Sequence, residues 1–386
     1  DERLGARPEP PVLTLTEGNG FVSQLERFNK RLATEDTSGY KVVRVGDVAF
    51  NPYLLWAGAI ATNRDWDEGV ISPAYPTFHV RDGFDPRFVK WLLDGEPMRI
   101  RYDMISFGAV PRRRRAKTEA FLSIEAPALP PLAEQKRIAA ILDAADALRA
   151  KRRESLEQLD TLLQSTFLEM FGDPVTNPMG WDQRPLSEFI DTIIDYRGKT
   201  PPKAESGIPL LSAANVNNGK IDLGHRQFIS PATYQEWTTR GFTQPGDVLI
   251  TTEAPIGEAA LYPKTGTYQI SRRVMALRTT PEIIPEVLLQ ILLSPTWQKR
   301  LSRLVRGSTV PRLLKPDILK QPIPVLPKPL QEQFKLGVEK FDRLEAHHRN
   351  HLEELDTLFA SLQQRAFNGE LTGASTEHAE NEGMLG

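Results

Sequence analysis

Apolar residues recur at three- and four-residue intervals along two long stretches of this chain. From Ala133 to Phe171 there is neither proline nor glycine, and Ile138, Ile141, Leu142, Ala145, Leu148, Leu156, Leu159, Leu162, Leu163 and Phe167 draw one seam along a helix. A second seam runs through Phe334, Val338, Phe341, Leu344, Leu352, Leu355, Leu358, Phe359 and Leu362. Each stretch starts just after a proline (Pro131, Pro329), carries Glu134 or Glu332 in its first turn, and stops near Gly172 or Gly369. A helix of about 39 residues is a rod of roughly 58 Å, long for one that merely caps its own domain. Two similar seams of that length predict a coiled coil in preference to separate packing on two cores.

Elsewhere the apolar runs are short. Gly246-Asp247 before Val248-Leu249-Ile250-Thr251 reads as a turn entering a strand, and Ile270 to Arg278 reads as another strand. Prolines at 201, 202, 209, 231, 245, 255 and 263 prevent long helices there. Both non-helical regions are therefore expected to be β-rich with peripheral helices, of α+β class.

The chain also repeats itself. Val45-Gly46-Asp47-Val48 returns as Pro245-Gly246-Asp247-Val248, Ile71-Ser72 as Ile270-Ser271, and Val110-Pro111-Arg112 as Val310-Pro311-Arg312. Pro131 to Gln135 matches Pro329 to Gln333, and Leu159 to Leu162 matches Leu355 to Leu358. Five matches in one order, each separated by about 200 residues, make two copies of one unit. If the rods pair, the second returns toward the first domain, giving antiparallel helices, a globular domain at each end and a pseudo-twofold axis. The expected divisions are 1–130, 131–172, 173–328, 329–371 and a polar, disordered tail at 372–386. The first copy lacks a counterpart of the segment from Trp181 to about Gln227, so the first domain either lacks its natural start or opens differently.

With 48 Lys+Arg against 50 Asp+Glu the net charge is only -2, which argues against a uniformly basic coat. Cations nevertheless gather at the end of each β-rich region: Arg112, Arg113, Arg114, Arg115 and Lys117 in the first, Lys299, Arg300, Arg303, Arg306, Arg312 and Lys315 in the second. Arg197, Lys199, Lys203, Arg272 and Arg273 add to the second. A single run is usually a solvated face; matched clusters in both copies point to phosphate contacts on a duplex. Zero cysteines exclude disulfides, thiolate metal sites and cysteine nucleophiles. No apolar run is long enough for a membrane span and the amino-terminal residues lack signal-peptide order, so a cytoplasmic protein is expected.

Enzyme motifs are missing. Gly198-Lys199-Thr200 imitates a phosphate-binding loop, but Ile193 stands where its first glycine belongs. Asn51-Pro52-Tyr53 is read as a loop turn, since no glycine-rich cofactor turn precedes it, and nothing completes a metal site around His347 and His351.

Pro130-Pro131-Leu132-Ala133-Glu134-Gln135, then Ile138 to Leu142 and Leu159 to Phe171, resemble the central conserved region of specificity subunits of type I restriction-modification systems, and Pro329 to Gly369 their distal one. Arg197-Gly198-Lys199-Thr200-Pro201, Gly207 to Leu210, Asn215, Gly219-Lys220-Ile221 and Thr252 to Gly257 resemble a target-recognition domain of that family. The resemblance implies a non-catalytic subunit in which each domain reads half of a split target in double-stranded DNA. The helices would act as a ruler and dock two adenine methyltransferase subunits, with Leu148, Leu156, Leu159, Leu163, Leu344, Leu352, Leu355 and Leu358 as the expected partner-facing residues. S-adenosylmethionine, ATP and Mg would reside on the methyltransferase and restriction subunits, and this chain would hold no cofactor. The competing readings are an adaptor joining two non-DNA modules, marked by weak DNA affinity, and a single-chain methyltransferase, against which the missing cofactor motif counts.

Overall fold

The computed structural model describes residues 2–18, 20–28, 36–108, 110, 114–126, 129–196, 198, 200–224, 226–307 and 309–371. It is of α+β type, with two helices of 40 residues, a central one (Leu132–Phe171) and a distal one (Lys328–Phe367). The chain divides into two compact units, Asp1–Arg153 with Asn350–Gly386 and Glu154–Arg349. The divisions fall inside both long helices. Each unit thus holds one β-rich domain and one half of each helix.

In the second unit the strands Ile190–Asp195, Val274–Thr279, Val248–Thr251 and Ala259–Leu261 form, in that order, an antiparallel four-stranded sheet. Val248–Thr251 is buried throughout, because one face meets Tyr196 and Tyr262 and the other the helix Pro285–Leu293. Ile208–Leu211 joins Phe228–Ile229 and Gln269–Ile270 in a smaller sheet. The run from Ile270 to Arg278, expected as one strand, is therefore two. Val274 N donates to Ser271 O at 3.0 Å, closing a turn that leaves Arg272 and Arg273 exposed between them.

The first unit repeats the plan. Val48–Phe50 lies between Ile60–Thr62 and Thr77–Phe78, and Lys41–Arg44 pairs with Glu68–Ile71. The repeat extends to single hydrogen bonds. Arg44 N donates to Asp47 Oδ2 and Gln244 N to Asp247 Oδ2, both at 2.8 Å, while Asn63 N and Tyr262 N donate to the carbonyls of those aspartates at 2.8 Å. His79 Nδ1 lies 2.9 Å from Asp47 Oδ1 where Arg278 Nε lies 2.8 Å from Asp247 Oδ1. Two helices come next in each copy, Pro86–Asp94 and Glu96–Met104, then Pro285–Leu293 and Pro295–Ser302.

The long helices dock on these pairs through buried glutamines. Gln135 Oε1 accepts Asp85 N at 3.0 Å and its Nε2 donates to Pro130 O at 2.8 Å. Gln331 Oε1 accepts Ile284 N at 2.8 Å and its Nε2 donates to Leu326 O at 2.8 Å. Gln135 therefore corresponds to Gln331, not to Gln333 as the Pro-Leu-x-Glu-Gln match suggested. The reason is rotational: a slip of two residues would turn the seam by about 200°. The corrected register agrees with the pairing of Leu159 and Leu355 further along.

Within each unit the helix halves run antiparallel. In the first, Arg149 Nε donates to Asp356 Oδ1 at 2.5 Å, and Arg152 Nη2 lies 2.8 Å from His351 Nδ1. In the second, Lys220 Nζ reaches both Asp160 Oδ1 on the central helix at 2.9 Å and Glu345 Oε1 on the distal helix at 2.7 Å, and the Phe167 ring meets Phe334 edge-on at 5.6 Å. Burial alone would raise the Glu345 carboxyl, but hydrogen bonds from Lys220 and Arg349 outweigh it and hold it below the usual carboxylate range. The helix ends also join the domain cores: Phe167, Phe171, Phe334 and Val338 in one, Ile138, Leu142, Phe359 and Ala366 in the other. Pairing and core packing thus coexist on each rod. Among the described residues no helix is long and apolar enough to cross a membrane.

Candidate nucleic-acid interface

In the second unit three segments converge at one end of the two central strands of the four-stranded sheet, Val248–Thr251 and Val274–Thr279. Thr252 N donates to Arg273 O at 2.9 Å and Leu313 N to Thr252 O at 2.8 Å, which sets the Ser271–Arg273 turn and the segment from Arg306 to Leu313 on either side of Thr252 and Glu253. Arg306 and Arg312 close a hairpin by exchanging backbone hydrogen bonds, each at 2.9 Å. Fully buried Leu313 anchors it. The sequence-predicted Arg272, Arg273, Arg306 and Arg312 are thereby brought to that end of the sheet, with Lys315 half-buried just beyond. Two of them are already paired: Arg273 Nε with Glu253 Oε2 at 3.0 Å, and Arg306 Nη2 with Asp317 Oδ2 at 2.9 Å. Among the described residues no ion pair holds Arg272, Arg312 or Lys315.

The other cations divide. Arg300 points inward, donating to Pro322 O at 3.0 Å, and burial lowers its pKa from the ordinary arginine value. Lys203 is exposed beside Ala204, whose N–H pairs with Phe228 O at the outer edge of the three-stranded sheet. Arg197 and Lys199 lie outside the described residues.

The first unit builds the corresponding end of its central strand Val48–Phe50 from different side chains. Ala116 N donates to Pro52 O at 2.8 Å, as Leu313 does to Thr252, and Phe107 pairs with Arg115 as Arg306 does with Arg312. The loop between the hairpin feet is longer in this copy, so Arg115, not Arg112, takes the place of Arg312. Arg115 is exposed with its guanidinium 5.4 Å from the Tyr53 ring centroid, and Lys117 is exposed beyond it. Arg114 is occupied internally: it pairs with Asp103 at 2.7 Å, donates to Ser106 O at 3.2 Å, and lies 5.3 Å from the Trp56 ring. Arg112 and Arg113 lie outside the described residues. Asn51 forms the expected turn, its Oδ1 accepting Tyr53 N at 3.0 Å. Tyr53, Trp56 and Glu253 were not singled out as site residues in the sequence; the two aromatics stand more than 50 residues before the arginine run, so only the fold brings them to it.

On the helices, Leu156, Leu159 and Leu163, and Leu352 and Leu355, are half-buried in the pairing seam, while Leu148, Leu344 and Leu358 are exposed. The expected partner-facing set therefore contains two kinds of position, and only the second offers free apolar surface.

Residues 178–356 match a family model described as the type I restriction modification DNA specificity domain. The type I restriction enzyme EcoBI specificity subunit of Escherichia coli is 28% identical over 63% of this chain and 58% of its own length. The EcoKI specificity subunit of Escherichia coli (strain K12) is 25% identical over 79% of this chain and 68% of its own. Among solved structures, one described as the structural basis underlying complex assembly and conformational transition of the type I R-M system superposes with a TM-score of 0.53 at 21% identity, covering 88% of this chain and 85% of that one. The last is a likeness of fold. The resemblance read from the motifs is thereby borne out.

Proposed function

Because this chain is related to the specificity subunits of type I restriction-modification systems, we propose that it is the non-catalytic reader of such a complex, each β-rich domain taking one half of a bipartite target in duplex DNA. The observation that carries this is the repetition of one anchored, arginine-bearing hairpin in both units, built from different side chains. A shared scaffold with altered edges is what reading two different half-sites by one mechanism requires, since backbone-directed cations set register while base edges specify. The domains would span 1–130 and 173–328, with the helices setting the spacing and docking methyltransferase subunits. Restriction subunits would join the same assembly. S-adenosylmethionine, ATP and Mg belong on those partners.

The test is reconstitution with a type I methyltransferase partner. The complex should methylate a split target, while the purified chain alone turns over no S-adenosylmethionine. Arg272→Ala with Arg273→Ala should weaken binding across all sequences and flatten the salt slope by roughly one unit per lost contact. Salt-independent, weak DNA binding would favour the adaptor reading instead.

A further inference from the structure

The feet of the hairpin at Arg306 and Arg312 are firmly anchored. They exchange two backbone hydrogen bonds of 2.9 Å. Gly307 sits at φ +93°, and a Cβ there would meet Val310 O at 2.6 Å, so the tip folds back in a way that only glycine permits. Pro311 restricts the returning arm. Below, buried Leu313 and the Arg306–Asp317 pair hold the base. Between these anchored feet Val310 is 58% exposed, next to exposed Thr309. An exposed valine there adds nothing to folding, because burial is what would make that side chain stabilising.

The surroundings decide what meets it. Arg312 lies at one foot with no ion pair among the described residues, and Arg272 stands across Glu253 on the neighbouring turn. A small apolar and hydroxyl tip flanked by cations is complementary to a groove of a polyanion, where phosphates line the walls and base edges, including the thymine methyl, line the floor. On the corresponding hairpin of the first unit, Phe107 at the foot opposite Arg115 is 72% exposed and Val110 is 40% exposed.

We propose that the Arg306–Arg312 hairpin is the base-reading finger of the second domain. Thr309 and Val310 contact base edges in a groove of its half-site, Arg312 holds a flanking phosphate, and Arg306 braces the foot through Asp317. This rests on the reading of the chain as a DNA specificity subunit and identifies the segment that reads.

The experiment maps methylated sites for the methyltransferase complex carrying Thr309→Ala with Val310→Ala, and separately Arg312→Ala. The first variant should become degenerate at one or two positions of a single half-site, discrimination there falling about 5- to 100-fold, with the other half-site unchanged. Arg312→Ala should weaken binding to all sequences alike and reduce the salt slope by about one. An unchanged motif at wild-type rate in the double variant overturns the finger, and so does loss of methyltransferase assembly with the motif intact, which would make the tip a protein contact. If the wild-type complex itself methylates no bipartite site, the specificity-subunit reading fails along with the finger. A wild-type bipartite motif beside an unaffected variant defeats the finger alone.

Discussion

Gln135 and Gln331 show how one side chain can register a helix against a domain. Each is almost completely buried, and each accepts the backbone N–H at the start of a domain helix while donating to the backbone ahead of its own. Alanine at either position leaves a buried donor and acceptors unpaired, which costs more than the hydrogen bonds contribute when made. Gln135→Ala and Gln331→Ala should each lower the unfolding free energy of the corresponding unit by about 1–3 kcal/mol. Denaturant titration checks this, and an unmoved midpoint would assign the motif another role. Arg114 carries a similar lesson: in a run of four arginines, carbonyls and Asp103 claim one guanidinium for the fold.

Two kinds of leucine stand on the long helices, half-buried and exposed. Leu159 and Leu355 are half-buried in the seams of their units, so Leu159→Asp or Leu355→Asp should cost about 1–3 kcal/mol by leaving a carboxylate without a solvated partner. The helical circular dichroism signal should then melt earlier. Leu148, Leu344 and Leu358 are exposed, and aspartate there should leave melting unchanged while weakening methyltransferase assembly, measured by size-exclusion chromatography of the mixture. Equal melting for both sets would remove the coiled-coil reading. Charge obeys the same register. The Asp160–Glu345 level in one unit corresponds to the Asp356–Arg149 level in the other, where Lys220 is replaced by a direct arginine–aspartate pair.

For the assembled protein the proposed ruler makes a geometric prediction. Inserting four helical residues near Arg152 lengthens the central helix by about 6 Å and rotates its carboxy-terminal half by about 40°. Base pairs advance by about 3.4 Å along the duplex. The variant should therefore prefer a target whose spacer is one or two base pairs longer, with both half-sites unchanged, or lose activity through mismatched pairing. Methylation of the original target at wild-type efficiency would show that this helix does not measure the gap. The near-neutral total charge fits the same proposal, since helices docked on partner proteins would dilute two cationic DNA-reading faces.

Much of this was written in the chain. Helical periodicity depends on residues three and four apart, and the internal repeat compares the chain with itself, so the two rods, the α+β class and the duplicated plan needed no coordinates. The motifs that resembled specificity subunits were local for the same reason. The remaining features depended on long-range partners. Whether Arg112 or Arg115 stands at the place of Arg312 is decided by Ala116 pairing with Pro52, and whether Gln331 or Gln333 is the buried glutamine is decided by its bond to Ile284. The break at Ser271, which exposes Arg272 and Arg273, comes from Thr252 meeting Arg273 across the sheet. Each is a hydrogen bond between residues distant in the chain, made only when strands pair and helices dock, and a linear pattern of apolar and polar positions carries no record of it.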